Sequence, residues 1–435
     1  MYGGQAAVTK NLLNRRIIAL AVPAIVANIT TPLLSLIDIA IVGHLGSPSF
    51  VGAVAVGGTL FSMLYWLFSF LRFGTSGLTA QAVGAGNDNE RMLTLLRSIF
   101  IGLTASVILM AFHRPLGALA LDVMATDGET RILASTYFNI LIYGAPAVLT
   151  QYALTGWFVG CQNTRTPMWI SLIINVTNIA SSLILVYICG MKIEGVALGT
   201  LIAQWVGAIC AIILARPRPM SLREAMNPNE LKRFFSVNSD IFLRTLCLIA
   251  VSVWFTRSGS AFGASILAVN SMLLQFFILF SYIMDGFAFA AEALCGKLYG
   301  AGRVDALRSC IRRLLQWGLA TAIVFTAVYA IGGTAFLRLL TDDVSIINAS
   351  EPFRLWAAAI PLAGFMAFTA DGIVIGLTRT RLMLSSMAVA TAAFFILWFW
   401  LSPRLGNHAL WIAFLTYLLL RGVLILLFLQ PYGKR

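Results

Sequence analysis

Five carboxylates interrupt long apolar runs in this 435-residue chain: Asp38, Asp240, Asp285, Glu292 and Asp371. On insertion scales a charged group at the centre of a membrane helix costs about 2.5–3.5 kcal/mol, and such groups mark ion pathways, proton relays or internal pairs. Asp38 lies in Ser35-Leu36-Ile37-Asp38-Ile39-Ala40, with Pro23 and Pro32 earlier in the same run. Each proline removes a backbone N–H and can hinge a helix. Burial favours the neutral form of a carboxyl and water the charged form. An acid beside a bendable point can therefore act as a proton switch. It can equally be a structural Asp hydrogen-bonded to a neighbouring Asn or Thr.

Other polar groups lie in the same half of the chain. Asn175, Asn178, Ser181 and Ser182 share one apolar run, and Thr200 sits in the next. Singly these are ordinary interhelical contacts; with Asp38 they could wrap a proton or a partly dehydrated cation. In the second half, Asp240 and Arg244 are four apart, a spacing that suits an internal salt bridge on one helix and reads as a structural or gating pair. Asp285 and Glu292, seven apart, share a helix face, and Asp371-Gly372 is the acidic point of a later run. Three carboxylates on two helices could line one cavity that attracts cationic substrate, with at least one of them structural.

Enzymatic signals are missing. There is no GxxxxGK[ST] phosphate loop and no HExxH, and the three histidines (His44, His113, His408) fall near the ends of apolar runs. The six cysteines show no CxxC spacing, so neither a disulfide framework nor a zinc site is expected. The reading is a chain that is not an enzyme and carries no metal or cofactor. The 14 methionines and 29 phenylalanines are packing or lipid-facing residues in general; where they line a cavity they suit apolar ligands of varied shape.

The elements that must position these groups follow from composition. The chain is 59% hydrophobic and 11% charged, against about 45–50% and 25% in soluble domains. The bilayer is its solvent, and helix is the default there because backbone groups find no water. Twelve spans are expected, centred within 16–43, 51–80, 94–113, 131–158, 167–190, 194–215, 238–259, 264–294, 310–333, 352–376, 382–402 and 407–430. The polar N-terminus leads straight into the first span, and no removable signal peptide is read there. Twenty of the 30 basic residues fall on one side of this alternation together with both termini, which predicts cytoplasmic termini. The net charge of +13 is then topological and no nucleic-acid footprint.

The halves resemble each other. Gly84-Ala85-Gly86 answers Gly300-Ala301-Gly302, Tyr143-Gly144-Ala145-Pro146 answers Ala359-Ile360-Pro361, and Thr164-Arg165-Thr166 answers Thr378-Arg379-Thr380. The expected fold is therefore all-α: a polytopic membrane protein of twelve transmembrane helices in two six-helix lobes. An even span count per half makes the repeat parallel, with a pseudo-two-fold along the membrane normal. The lobes are placed at 1–215 and 237–435, joined by a cytoplasmic linker at 216–236 that contains Pro217, Pro219 and Pro228. Such a plan raises the prior for transport without proving it.

At these residues the sequence resembles the multidrug and toxic compound extrusion (MATE) transporters, in their DinF-like branch. The matching motifs are Leu36 to Leu45 (LIDIAIVGHL), Gly77 to Ala82 (GLTAQA), Asn238 to Arg244 (NSDIFLR), Asp285 to Ala288 (DGFA), Asp371-Gly372 and Gly406 to Trp411 (GNHALW). They reach from the first span to the twelfth. The resemblance implies export coupled to entry of H⁺ or Na⁺, Asp38 as the coupling acid and Pro23 as the bending proline. It also implies an N-lobe site of Asp38, Asn178 and Thr200, in which Ser182 stands where relatives carry a second Asp. In other branches a tenth-helix Asp takes part in cation binding, and Asp371 occupies a similar place. A hard cation prefers charged oxygens, so Ser182 tilts the coupling ion toward H⁺, with Na⁺ still possible. The expected molecule is a monomeric antiporter of a bacterial inner membrane exporting amphiphilic, cationic or neutral organic compounds, bound in the N-lobe, the C-lobe or the central cleft. The alternatives are a lipid-linked precursor flippase of the same superfamily and a non-transport membrane scaffold.

Overall fold

The structure is a computed structural model that describes residues 2–44, 47–124, 128–218 and 221–429, with the side chains of 2–10, 31, 33–35, 123 and 222 outside the description. Twelve helices long and apolar enough to cross a membrane are present among these residues, matching the expected spans. They are α1 (Tyr2–Gly43), α2 (Pro48–Gly84), α3 (Asp88–Ala111), α4 (Gly128–Gly160), α5 (Arg165–Ile188), α6 (Ile193–Ala215), α7 (Pro228–Ala261), α8 (Ala264–Gly300), α9 (Val304–Leu340), α10 (Val344–Gly376), α11 (Thr380–Leu405) and α12 (Asn407–Phe428). No strand occurs among the described residues. A short helix, His113–Val123, follows α3, and one turn, Leu222–Ala225, precedes α7.

Helix α1 runs unbroken through both Pro23 and Pro32. A proline deletes one backbone hydrogen bond, and neighbouring helices can re-satisfy the freed group in a membrane protein. The chain divides into two compact units, Met1–Ile25 with Ser239–Arg435, and Val26–Asn238. The division cuts inside two helices, α1 after Ile25 and α7 after Asn238. In α1 the cut lies between the two prolines.

Within the unit Val26–Asn238, α4 packs closely on α2. A Cβ on Gly156 would lie 2.2 Å from the backbone oxygen of Arg72, and one on Gly160 would lie 2.7 Å from that of Ser76. Within the other unit, α10 packs on α8 in the same way. A Cβ on Gly372 would lie 2.4 Å from the backbone oxygen of Ala288, and one on Gly376 would lie 2.7 Å from that of Glu292. Small residues four apart let helix backbones approach where no hydrophobic drive exists between them. The two contacts occupy equivalent places in the repeat. So do the turns after α2 and α8, where Gly86 and Gly302 take φ of +68° and +67°, a region that favours glycine.

Each unit has its own buried core. In Val26–Asn238, Phe61, Tyr65, Tyr137 and Phe138 pack between α2 and α4, with Phe61 and Phe138 stacked at 5.0 Å. In the other unit, Phe255 packs edge-on against Trp411 and Phe414, each with ring centroids 5.2 Å away. Polar ties fix the register around them. Asn270 and Asn407 exchange two hydrogen bonds of 2.8 and 3.0 Å, and the Trp411 indole N–H donates to Asn270 at 3.0 Å.

Candidate functional site

Asp38 is brought to α5 and α6 by a ladder of polar contacts along α1. The Thr30 hydroxyl and that of Ser171 lie 3.0 Å apart, and Asn175 donates to the Thr30 carbonyl at 3.0 Å. Two turns later the Asp38 side chain, 4% exposed, reaches α6. The Thr200 hydroxyl is within donating reach of Asp38 Oδ2 at 3.3 Å and of the Val196 carbonyl at 3.1 Å, and it accepts from Asn178 Nδ2 at 2.8 Å. One hydroxyl proton serves one acceptor at a time, so Thr200 is a switchable donor between the carboxylate and its own helix.

Three of the four N-half residues are thus joined: Asp38, Thr200 and Asn178. Ser182 is fully buried one turn beyond Asn178, with its hydroxyl against Gly199, next to Thr200. Asp38 Oδ1, Asn178 Oδ1 and Ser182 Oγ are buried without a hydrogen-bond partner among the described residues. These oxygens could receive a proton or cradle a small cation, but only one carries formal charge. Tyr137 on α4 interacts with both Asp38 and Thr200. The sequence reading missed it, because one tyrosine in an apolar run looks like packing.

The second-half acids have a different arrangement. Arg244 on α7 and Arg421 on α12 both donate to Oδ2 of Asp371 on α10. All three residues are buried, and the Phe368 ring faces the Arg421 guanidinium at 5.5 Å. The ion pair expected between Asp240 and Arg244 is replaced by this cluster. A long guanidinium stem reaches across to a buried carboxylate whose charge would otherwise be left uncompensated. Asp240 instead accepts from the Thr380 hydroxyl at 2.7 Å, tying α7 to α11. Asp285, half-buried on α8, interacts with Arg421. Glu292 is fully buried on α8 beside the close α8–α10 contact. The expectation of an acidic cavity therefore needs correction at Asp371, whose charge is outweighed by two guanidinium groups. No sequence spacing tied Arg421 to Asp371, which lies 50 residues away.

Among the described residues no group of three or more His, Cys, Asp or Glu gathers to hold a metal ion.

The comparisons fit this frame. The MatE family model matches residues 23–184 and again 241–400, one match for each repeat. The chain is 36% identical to DNA damage-inducible protein F of Escherichia coli (strain K12), over 93% of this chain and 89% of that protein. It superposes on the solved structure of the Vibrio cholerae MATE transporter VcmN in the bent form with a TM-score of 0.85 at 18% identity, covering 97% of both chains. A multidrug resistance MATE family transporter of the MOP superfamily, solved in an outward-facing conformation, gives a TM-score of 0.83 at 18% identity, covering 95% of this chain and 94% of that one. With both repeats matched and a relative at this identity along nearly its whole length, the chain belongs to the MatE family of multidrug efflux transporters.

Proposed function

We infer that this protein is a secondary active antiporter that exports amphiphilic organic compounds, cationic or neutral, in exchange for protons that bind Asp38. The observation that carries the reading is the contrast between two buried span carboxylates. Asp371 is held by two guanidinium groups. Among the described residues Asp38 meets uncharged partners, the Thr200 hydroxyl at Oδ2 and the Asn178 side chain. A buried charge without a counter-ion is costly, so Asp38 is the group a proton can neutralise with most effect. In the proposed cycle a proton from outside neutralises Asp38, and the Thr200 hydroxyl turns to the Val196 carbonyl. The part of α1 after Ile25 then loosens its hold on α6, and substrate is released outward.

Na⁺ is the lesser reading, since Ser182 supplies a hydroxyl where a second charged oxygen would favour a hard cation. The site of action is a bacterial inner membrane with both termini cytoplasmic, in keeping with the side-biased arginines and lysines. The export of drug-like compounds is supported by the multidrug resistance transporter whose fold this chain shares. In proteoliposomes, Asp38→Asn is expected to abolish efflux driven by a pH gradient while the protein still purifies folded. Undiminished efflux from that variant overturns the reading.

A further inference from the structure

Helix α9 is 37 residues long, about 55 Å at 1.5 Å per residue, well beyond the ~30 Å hydrocarbon core. Its outward face changes character along its length. From Leu319 to Leu337, just before the exposed Arg338, the exposed side chains are apolar, among them Ile323 at 55%, Val328 at 56% and Ile331 at 89%. That stretch is about 27 Å long and by itself accounts for most of the core. Before it, the same face carries Arg308, Arg312 and Gln316, all exposed at helical spacing. The arginine nearer the core lies about 10 Å outside the first apolar residue, at headgroup level. Arg303 is also exposed, at the turn that starts the helix.

The equivalent helix of the first repeat has no such face. With Gly86 set on Gly302, the places of Arg308 and Arg312 fall on Met92, which is buried, and Leu96, which is half-buried. The basic groups that α3 does carry are half-buried, as Arg91 is, or buried, as Arg97 is. Arg97, 3% exposed, pairs with Glu90 at 2.5 Å and donates to the Ala225 carbonyl at 2.8 Å, and Arg91 pairs with Asp88 at 3.2 Å. A sided distribution of charge in the membrane asks only for basic residues on one side. It does not ask for two on one lipid-facing stripe, continuous with an exposed apolar track, in one repeat and not in the other.

We propose that this stripe of α9 is a docking site for an anionic phospholipid. The phosphate and anionic headgroup lie on Arg308 and Arg312, and an acyl chain lies along Leu319 and Ile323. Charge complementarity selects the occupant: clustered arginines at a leaflet surface attract acidic lipids, and guanidinium matches phosphate with two parallel hydrogen bonds. Asp305, 3.8 Å from Arg308, is exposed and weakens the site without cancelling it.

The test is thermal unfolding of the purified full chain in neutral detergent, titrated with phosphatidylglycerol, phosphatidylcholine or soluble glycerol phosphate. Phosphatidylglycerol is expected to raise the midpoint saturably, and the other two are not. Arg308→Gln with Arg312→Gln should weaken the apparent affinity for phosphatidylglycerol about 30-fold. Arg15→Gln with Arg16→Gln, on the exposed start of α1, should leave it unchanged. Arg308→Lys with Arg312→Lys should recover part of it, which separates lost charge from lost folding. Equal shifts with phosphatidylcholine or with glycerol phosphate, or an undiminished response in the double Gln variant, overturn the proposal.

Discussion

Arg421 and Asp371, 50 residues apart in sequence, share one carboxylate oxygen with Arg244 in the buried interior of the second-half unit. The cluster pins α7, α10 and α12 to one another. Removing one partner of a buried ion pair leaves an uncompensated charge and costs about 3–5 kcal/mol. Asp371→Asn is therefore expected to lower thermal stability by about that much, since it strands two guanidinium groups. Replacing all three residues by apolar ones of similar volume should cost much less. Tryptophan fluorescence melts of the single and triple variants check this. A single variant as stable as the parent would mean that the charges are already solvated.

The repeat makes a second expectation. A Cβ on Gly372 would meet the Ala288 backbone, oxygen and Cα at 2.4 and 2.8 Å, and no flexible side chain is there to yield. Gly372→Ala should cost about 1–3 kcal/mol as overpacking, and its repeat partner Gly156→Ala should behave alike. At Gly58, where nothing lies within 4 Å, the same substitution should be tolerated, because the helix interior prefers Ala to Gly. Folded yield by size-exclusion chromatography distinguishes the three.

The helices were legible because a bilayer leaves few choices: long apolar runs, charges at their ends, and twelve spans in two similar halves. The joining of Asp38, Asn178 and Thr200 was legible through the family resemblance, which singled out these three among the polar residues of their runs. What sequence could not give is which acid meets which base. Asp240 and Arg244 satisfy a local spacing rule, yet each is paired across helices, with Thr380 and Asp371. Spacing on one helix ranks neighbours by distance, while a buried carboxylate chooses partners by desolvation, and tertiary packing decides that. Tyr137 was invisible for a related reason, because its hydroxyl acquires a role only through the α4–α6 contact. The unit boundary inside α1 had no signal beyond the two prolines that flank it.

One carboxylate outside the spans carries a pH expectation. Asp343, before α10, accepts from the Ser345 hydroxyl at 2.6 Å and from its backbone N–H at 2.8 Å, capping the helix start. These bonds, the hydroxyl first, hold its carboxyl below the usual aspartate value. A lowered value means that the cap stabilises the start of α10 above the ordinary aspartate pKa of about 3.9, and that this support is lost as pH falls through the folded value. Amide hydrogen exchange in Val344–Ser350 should thus speed up below about pH 4 more than base or acid catalysis alone explains. Asp343→Ala should exchange fast at every pH. A parent whose protection is indifferent to pH there would show that the cap does not form.

The last expectation concerns Thr200, which stands between Asp38 and Asn178. Thr200→Val keeps the shape and removes the hydroxyl, leaving Asp38 Oδ2 without its donor at 3.3 Å and Asn178 Nδ2 without its acceptor at 2.8 Å. A hydrogen bond to a charged group is worth about 1.5–3 kcal/mol, so pH-driven efflux should fall about tenfold or more. Thr200→Ser, which restores the hydroxyl on a smaller side chain, should recover most of it. Because Thr200 acts through Asp38, Thr200→Val should change the pH dependence of efflux and leave substrate binding to the purified protein unchanged. Weakened substrate binding with an unchanged pH profile would place Thr200 on a separate route, as a substrate contact and not a partner of the coupling acid.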